Sequence, residues 1–339
     1  MKNGNLYEIK QLPSNGLKAV DLFCGAGVGA YGIKHSGYNI VFGIDNVQDA
    51  VDTYNLNIGN HAVCGDIRKL KSEDVPEHDL MIATPVCKPF SICGARRLTN
   101  DEKYGDLLSE TIRLFSECKP KALLFENVKG IVLEKSLPIF LDFIKQLESF
   151  GYHTYWDVPN CWDYGVPQDR ERLLLVAIKD DIPYEFIPPK KLLFGKKTQR
   201  DAFYDLKDKT IKDIKNHNTD YVVHHNDVFI VKNRQRCWDL PSNTVISEMN
   251  SVPYYPEPLL PSLKYITEGP RRLSVRESLR LQTVGDDFYF PDTVSLSKQY
   301  ERCSGIPSLV SYKYGMAIAD CLLGKTPIRK TTTKRRTLF

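Results

Sequence analysis

The sequence lacks the long apolar runs that mark membrane-spanning proteins. No stretch of its 339 residues approaches the roughly 20 consecutive apolar residues of a transmembrane helix. The first 16 residues also lack the apolar core of a signal peptide. We therefore expect a cytoplasmic protein with no membrane partner.

Closely spaced cysteine pairs are also missing. The 9 cysteines are odd in number and scattered, with no CxxC pair, which argues against a disulfide framework and a structural zinc site. His217, His224 and His225 lie in a polar stretch, where histidines contact solvent or phosphate more often than they bind a metal. We predict reduced thiols and no metal.

The charge balance does not by itself identify a partner. A net charge of +4 is common among enzymes that never bind nucleic acid. The basic residues are nevertheless concentrated in one region, and residues 329–339 form a basic tail. Either region is a solvated face or a phosphate-binding surface. The clustered residues are Lys190, Lys191, Lys196, Lys197, Arg200, Lys207, Lys209, Lys212, Lys215, Lys232, Arg234 and Arg236.

The first half of the chain alternates short branched apolar runs with longer amphipathic stretches. This pattern is typical of βα units and predicts an α/β fold with a Rossmann-like, mostly parallel sheet. No internal repeat is present. Strands are predicted at 17–23, 40–45, 79–85, 122–128 and 172–178, and helices at 47–57, 106–119, 137–150, 274–284 and 308–324.

The composition changes after Ile178 to Pro, Lys, Asp, Asn and His, and changes back near Gly269. Such a shift suggests a second, smaller domain inserted into the first. We therefore predict one domain from residues 1–183 and 269–328, a second from 184–268, and the tail 329–339.

A glycine-rich turn follows the first predicted strand. Gly25, Gly27 and Gly29 lie where a ligand can approach the backbone closely. Dinucleotide, nucleotide and S-adenosylmethionine sites share this feature, and tight packing alone sometimes produces it. Asp45 ends the second strand, where an acid usually binds ribose hydroxyls. Asp66 follows at a position where a carboxylate can accept from an adenine amino group.

Three reactive side-chain types occur at the ends of later strands. Cys87 follows the strand at 79–85, Glu126 lies in the strand at 122–128, and Arg170 and Arg172 precede or begin the last strand. Most free cysteines are buried and inert. A thiol, a carboxylate and a guanidinium converging on one sheet edge nevertheless favour nucleophilic catalysis beside the cofactor.

These blocks, in this order, resemble the DNA cytosine-5 methyltransferases of restriction-modification systems. The resemblance spans most of the chain. It rests on residues 21–27 (DLFCGAG), 65–67 (GDI), 87–91 (CKPFS), 126–130 (ENVKG), 163–172 (DYGVPQDRER) and 272–282 (RLSVRESLRLQ).

The resemblance implies methyl transfer from S-adenosylmethionine to carbon 5 of a cytosine flipped out of duplex DNA. Cys87 would attack carbon 6, Glu126 would act at N3, and Arg172, with Arg170 beside it, would bind O2. Residues 184–268 would be the target-recognition domain, in which 241–245 (PSNTV) resembles a recurring element. The implied cofactor residues are Asp21, Phe23, Gly25, Gly27, Asp45, Asp66, Ile67, Pro85 and Leu107.

The same resemblance implies a monomer that acts on DNA separately from a cognate restriction endonuclease. Two departures stand out: Val86 replaces the proline that normally precedes the nucleophile, and 304–310 (SGIPSLV) lacks the usual Gly-Asn pair. An RNA cytosine-5 methyltransferase, a DNA-binding relative with weakened catalysis, and an NAD-linked oxidoreductase remain alternatives. The oxidoreductase explains the glycine turn but not Cys87, Glu126 and Arg172.

Overall fold

A computed structural model describes residues 9–86, 102–219, 234–247, 252–256 and 270–329. Within these ranges no helix is long and apolar enough to cross a membrane. The strands are β1 (Lys18–Leu22), β2 (Asn39–Asp45), β3 (Ala62–Cys64), β4 (Leu80–Ala83), β5 (Ala122–Val128), β6 (Tyr152–Asp157) and β7 (Arg172–Lys179). The helices are α1 (Val28–His35), α2 (Gln48–Asn57), α3 (Glu102–Cys118), α4 (Leu137–Ser149), α5 (Gln199–Phe203), α6 (Val275–Leu281), α7 (Leu296–Arg302) and α8 (Ser308–Leu322).

The described strands form one sheet in the order β3-β2-β1-β4-β5-β7-β6. The pairs from β3 to β5 are parallel, whereas β7 runs antiparallel to both β5 and β6. This arrangement confirms the predicted α/β class with a mostly parallel sheet. The carboxyl ends of β1, β2, β4 and β5 therefore meet the amino end of β7 at one edge.

The five predicted strands and five predicted helices are all present, but two strands were missed. β3 is only three residues long, and β6 is polar and half-buried along most of its length. Neither has the apolar run from which the other strands were predicted. Helices α1, α5 and α7, of eight, five and seven residues, were also not predicted.

Two hydrophobic clusters cover the two faces of the sheet. Leu124 of β5 belongs to the cluster that includes α1, α2 and α8, whereas its neighbours Leu123 and Phe125 belong to the cluster that includes α3 and α4. This alternation is expected of a strand with a period of two that is buried on both faces.

Helices α1 and α8 are in unusually close contact. A Cβ on Gly32 would lie 2.0 Å from the carbonyl oxygen of Ser308, and a Cβ on Gly29 would lie 2.5 Å from Ile306 Cγ2. In addition, Ser308 Oγ donates to the Val28 carbonyl at 2.6 Å. The glycines of α1 therefore allow the C-terminal segment to pack directly on the helix that follows the glycine turn.

The described residues of 184–256 pack against the catalytic core. Phe203, Trp238 and Val245 belong to the same hydrophobic cluster as the α1 face of the sheet. Helix α6 contributes polar links: Arg276 Nε donates to the Lys215 carbonyl at 3.1 Å, and Arg280 binds Asp205 at 2.6 Å. The division into a separate 184–268 domain stays a prediction.

The interpretation of His217 as a solvent or phosphate contact was wrong. Its ring is buried, with Nδ1 2.8 Å from Ser274 Oγ and Nε2 3.2 Å from the Leu206 carbonyl. Burial lowers the pKa of His217, so the neutral ring bridges the start of α6 to the segment after α5. His224 and His225 lie outside the described residues.

Candidate active site

A cleft opens at the sheet edge where β1, β2, β4 and β5 end and β7 begins. Eight of the predicted site residues line it: Asp21, Phe23, Gly25, Asp45, Pro85, Glu126, Arg170 and Arg172. The predicted nucleophile, Cys87, lies outside the described residues. It directly follows Val86, which is itself part of the cleft wall.

The glycine turn between β1 and α1 forms the floor of the cleft. Phe23 has a φ of 61°, in the left-handed region that non-glycine residues rarely occupy. Gly25 has a φ of 52°, and a Cβ built there would meet nothing within 4 Å. The backbone at Gly25 is therefore open to a ligand, as the glycine pattern predicts.

Gly27 and Gly29 lie in tight packing, the alternative explanation of a glycine-rich turn. Gly27 has a φ of 91°, and a Cβ there would lie 2.7 Å from Ile58 Cγ1. Gly29 lies within α1, where its missing side chain makes room for Ile306. Both positions therefore serve packing, although the Gly29 backbone also lines the cleft.

Asp45 holds the turn in place from the end of β2. One carboxylate oxygen accepts from the Gly25 N–H at 2.9 Å, and the other accepts from the Val47 N–H at 3.1 Å. Burial raises the pKa of Asp45 despite these hydrogen bonds. Each carboxylate oxygen retains a lone pair for a further donor such as a ribose hydroxyl.

Asp21 lies beneath the turn and is only 3% exposed. Burial, together with the nearby charge of Asp45, raises the pKa of Asp21 to about 8. Cys24 also lines the cleft, but burial and the charges of Asp21 and Asp45 raise the pKa of its thiol well above the usual value. Cys24 is therefore a thiol rather than a thiolate at neutral pH, and a poor nucleophile.

Glu126 and Arg172 form an ion pair at the far wall of the cleft. Arg172 Nε lies 3.1 Å from Glu126 Oε1, and their side chains are 14% and 10% exposed. In the antiparallel β5/β7 ladder Glu126 faces Leu174. Arg172, two residues earlier on β7, shares that face and reaches Glu126 diagonally. A carboxylate and a guanidinium are therefore fixed side by side at the reacting edge.

Arg170 is more deeply buried and bonds to the main chain. Its two terminal nitrogens donate to the carbonyls of Val245, at 2.8 Å, and Gly305, at 2.7 Å. It thereby joins the last residue of the PSNTV element to the segment before α8. Gln168 assists, because its side-chain oxygen accepts from the Val245 N–H at 2.8 Å.

Four predicted cofactor residues are not part of the cleft wall. Gly27 packs on Ile58, Ile67 is buried in the core, and Leu107 packs against that same core. Asp66 binds Arg68, with 2.6 Å between Asp66 Oδ2 and Arg68 Nη2. This pairing lowers the pKa of Asp66 to about 2, so the carboxylate is ionised and already has a partner.

The sequence did not single out the C-terminal part of the wall. Ser247, Glu301, Arg302 and Ser304 all line the cleft. Arg302 Nε lies 3.1 Å from Asp49 Oδ1, and the hydroxyls of Ser247 and Ser304 are hydrogen-bonded. The sequence offered one signal for this part of the wall, because Ser304 begins the segment 304–310 that departs from the family's final motif.

Comparisons with known proteins identify the family of the chain. Residues 17–318 match the family model of the C-5 cytosine-specific DNA methylases. A type II methyltransferase, M.FnuDI of Fusobacterium nucleatum, is 31% identical over 95% of this chain and 100% of its own length. M.MthTI of Methanothermobacter thermautotrophicus is 33% identical over 79% of this chain and 86% of its own.

A likeness among solved structures extends over the fold. The crystal structure of Dnmt2 methyltransferase from S. pombe has a TM-score of 0.64 at 17% identity, covering 91% of this chain and 98% of that one. The family match excludes the oxidoreductase alternative, which only the glycine turn supported. The chain belongs to the C-5 cytosine-specific DNA methylase family and is a DNA cytosine-5 methyltransferase related to the type II methyltransferases.

Proposed function

We propose that this enzyme transfers a methyl group from S-adenosylmethionine to carbon 5 of a cytosine flipped out of a specific duplex DNA sequence, through a covalent bond from Cys87 to carbon 6. The observation that carries the proposal is the Glu126–Arg172 pair. It lies in the same cleft as the glycine turn and beside the strand that leads into Cys87.

The floor of the cleft fits S-adenosylmethionine. This cofactor is a sulfonium cation with a ribose diol, and it supplies an electrophilic methyl group. Asp45 suits the ribose diol, and the open backbone at Gly25 allows close approach. Asp21 also lines the floor, but its raised pKa of about 8 keeps it largely protonated at neutral pH, so it would act as a hydrogen-bonding group rather than as a charge for the sulfonium. Phe23 offers an aromatic surface for a base. Asp66 would have to exchange or share Arg68 in order to bind an adenine amino group.

The ring of cytosine requires activation because carbon 5 is a poor nucleophile. In the proposed step the Cys87 thiolate forms a bond to carbon 6, and electron density moves through the ring toward N3. A proton held by Glu126 at N3 stabilises that charge, and Arg172 donates to O2. Carbon 5, now part of an enamine, would form a bond to the methyl group as the methyl–sulfonium bond breaks, which would leave a neutral thioether. A base, with water as the simplest acceptor, then takes the carbon 5 proton as the bond from Cys87 to carbon 6 breaks, and departure of the thiolate restores the aromatic ring.

Arg170 has a positioning role in this proposal. Its guanidinium hydrogen bonds go to the Val245 and Gly305 carbonyls, so it holds the wall around the ring instead of contacting O2. Arg172 is the arginine that lies beside Glu126. The two arginines of one motif thus differ in task.

Residues 184–268 are proposed to read the DNA sequence, with lysines contacting phosphates and a few polar side chains contacting base edges. Exchanging this segment with that of a relative of known target tests the assignment. The chimaera should acquire the relative's target, and a folded chimaera that keeps its original sites would contradict it. The enzyme is further proposed to be a monomer whose methylation protects DNA from a separate cognate endonuclease.

Transfer of labelled methyl groups tests the reaction itself. Duplex DNA should be labelled and tRNA should not, and bisulfite sequencing of a plasmid from expressing cells should reveal 5-methylcytosine in one sequence context. Labelling of tRNA alone would favour the RNA alternative. Cofactor and DNA binding without transfer would favour the relative with weakened catalysis.

A further inference from the structure

Two large apolar side chains in the loop after β7 are almost entirely exposed to solvent. Leu193 and Phe194 are 83% and 88% exposed, the highest values among the large hydrophobic residues that the structure describes. Gly195 follows them with a φ of 70°, and a Cβ placed there would have no atom within 4 Å. We call residues 193–195 the apolar tip. Apolar surface presented in this way marks an interaction site more often than it marks ordinary surface.

The loop that carries the apolar tip is anchored at both ends. Before the tip, the Leu192 N–H donates to the Asp163 carbonyl at 2.7 Å. After it, the indole N–H of Trp162 donates to the Lys197 carbonyl at 2.7 Å, and Lys196 forms an ion pair with Asp163. The two ends of the loop are therefore fixed to the protein, and the apolar tip between them is exposed.

The register of the sheet shows how near the anchored ends of this loop lie to Glu126 of the Glu126–Arg172 pair. Glu126 faces Leu174, and Leu174 faces Asp157 on its other side, so the three stand in one row across β5, β7 and β6. Two strand spacings place the Cα atoms of Glu126 and Asp157 roughly 10 Å apart. Lys191 Nζ in turn lies 2.9 Å from Asp157 Oδ2. The radius of a DNA duplex is similar to this separation of roughly 10 Å between Glu126 and Asp157. A duplex that delivers a base to Glu126 therefore also reaches the loop at Lys191.

The charge around the apolar tip suits a polyanion. Residues 188–197 contain Lys190, Lys191, Lys196 and Lys197 and no acidic residue. Three of these lysines are paired with aspartates of other segments, Lys191 with Asp157, Lys196 with Asp163 and Lys197 with Asp201, and would have to share or exchange them to bind a phosphate. Lys190 forms no ion pair with any described residue. Lysines beside an apolar wedge are the arrangement with which proteins grip phosphates and enter a groove between base steps. A loop that binds a lipid surface or a second protein chain has no need to lie close to Glu126, whereas a loop that binds the DNA substrate does. The position of the loop therefore favours DNA.

We propose that the apolar tip enters a groove of the duplex next to the target base pair, with the flanking lysines on the phosphates. The inference rests on the proposed function, because it takes duplex DNA as the substrate. It assigns a DNA contact to Leu193 and Phe194 that neither the motifs nor the cleft contain.

The double variant Leu193→Ser/Phe194→Ser tests this, measured by fluorescence anisotropy with a duplex that contains the target site. The Kd for DNA should rise about tenfold or more, while S-adenosylmethionine affinity and Tm stay unchanged. Phe150→Ser is the matched control, since Phe150 is an exposed aromatic residue that precedes β6 at the opposite sheet edge. It should bind DNA as the wild type does.

Salt dependence separates the lysines from the tip. Lys190→Ala should reduce the slope of log K against log salt by about 0.9, whereas the double serine variant should keep the wild-type slope. An unchanged Kd in the double variant would overturn the inference. So would a shift from dimer to monomer in sedimentation at unchanged DNA affinity, which would make a second copy of the chain the occupant. Failure of the wild type to methylate any duplex would instead overturn the proposed function.

Discussion

Arg172 Nε and Glu126 Oε1 lie 3.1 Å apart across two antiparallel strands, in a pair that is almost entirely shielded from water. The pair exists because β7 runs opposite to β5, which brings the amino end of one strand beside the carboxyl end of the other. Removing one member of such a pair leaves the other charge buried without compensation. A substitution at either position should therefore keep the size and shape of the side chain, so that the loss of charge is the main change.

Glu126→Gln should slow formation of the covalent adduct by about 100-fold or more, because glutamine keeps the shape of glutamate but cannot hold a proton for N3. Single-turnover adduct formation on DNA measures this rate. Glu171→Gln is the control, since Glu171 is half-exposed and pairs with Lys129. A wild-type rate in Glu126→Gln would show that this carboxylate takes no part in the step.

Cys87→Ala should abolish both methylation and the denaturant-resistant complex with duplex DNA carrying 5-fluorocytosine at the target. Fluorine cannot leave carbon 5 as a proton does, so the wild-type enzyme should stay attached once the methyl group has been transferred. Cys24→Ala and Cys118→Ala should both keep the adduct, because burial raises the thiol pKa at each position. Peptide mapping of the adduct to any cysteine other than Cys87 would refute the mechanism.

Asp66→Ala should weaken S-adenosylmethionine binding by roughly 1 to 3 kcal/mol if the carboxylate accepts from the adenine amino group. Calorimetry measures the change. Arg68→Ala should have no such cost and should bind the cofactor at least as tightly, because it frees the carboxylate that Arg68 now holds. Equal dissociation constants for Asp66→Ala and the wild type would remove Asp66 from the site.

Asp21→Asn should change how stability depends on pH. The folded-state pKa of Asp21 is raised from 3.8 to about 8, so between those values the folded protein keeps a proton that the unfolded chain has lost. Stability falls as pH rises in that window, by about 1.4 kcal/mol per unit for one group. Denaturant unfolding at several pH values should show that the free energy of unfolding of the variant rises relative to that of the wild type as the pH increases to about 8. Parallel curves would contradict this.

Gly32→Ala should destabilise the fold by about 1 to 3 kcal/mol or more, because the new methyl group would overlap the Ser308 backbone rather than a movable side chain. Thermal unfolding measures the loss. Gly65→Ala is the control, since its methyl group would lie 3.5 Å from Ile44. Equal loss in both variants would mean that the α1–α8 contact is not the cause.

The sequence predicted the parts of the fold whose signal is local. β5 was predicted from the run ALLFENV because both of its faces are buried, and Glu126 was placed correctly because it sits in that run. β6 was missed because Tyr152–Asp157 is half-exposed and polar. Because β6 was not predicted, the sequence could not show that Asp157 and Glu126 lie in one row across the sheet.

The site was predicted where it depends on motifs and missed where it depends on long-range contacts. Arg172 was predicted from its place in a motif, and Asp45 from its place at the end of the second strand. The links from Arg170 to Val245 and Gly305, and from Arg302 to Asp49, join residues 75 to 253 positions apart. No local pattern encodes such partners. Asp66 and Arg68 are only two positions apart, but whether their side chains pair depends on rotamers that the sequence does not specify.

The contact between Ser308 and Val28 also bears on when a newly made chain becomes competent. These residues are 280 positions apart, and synthesis proceeds at about 5 to 20 residues per second, so on the order of 15 to 60 s separates their emergence. During that interval the glycine face of α1 has no α8 to pack against. The helix that follows the proposed cofactor turn is therefore covered only after nearly the whole chain has been made.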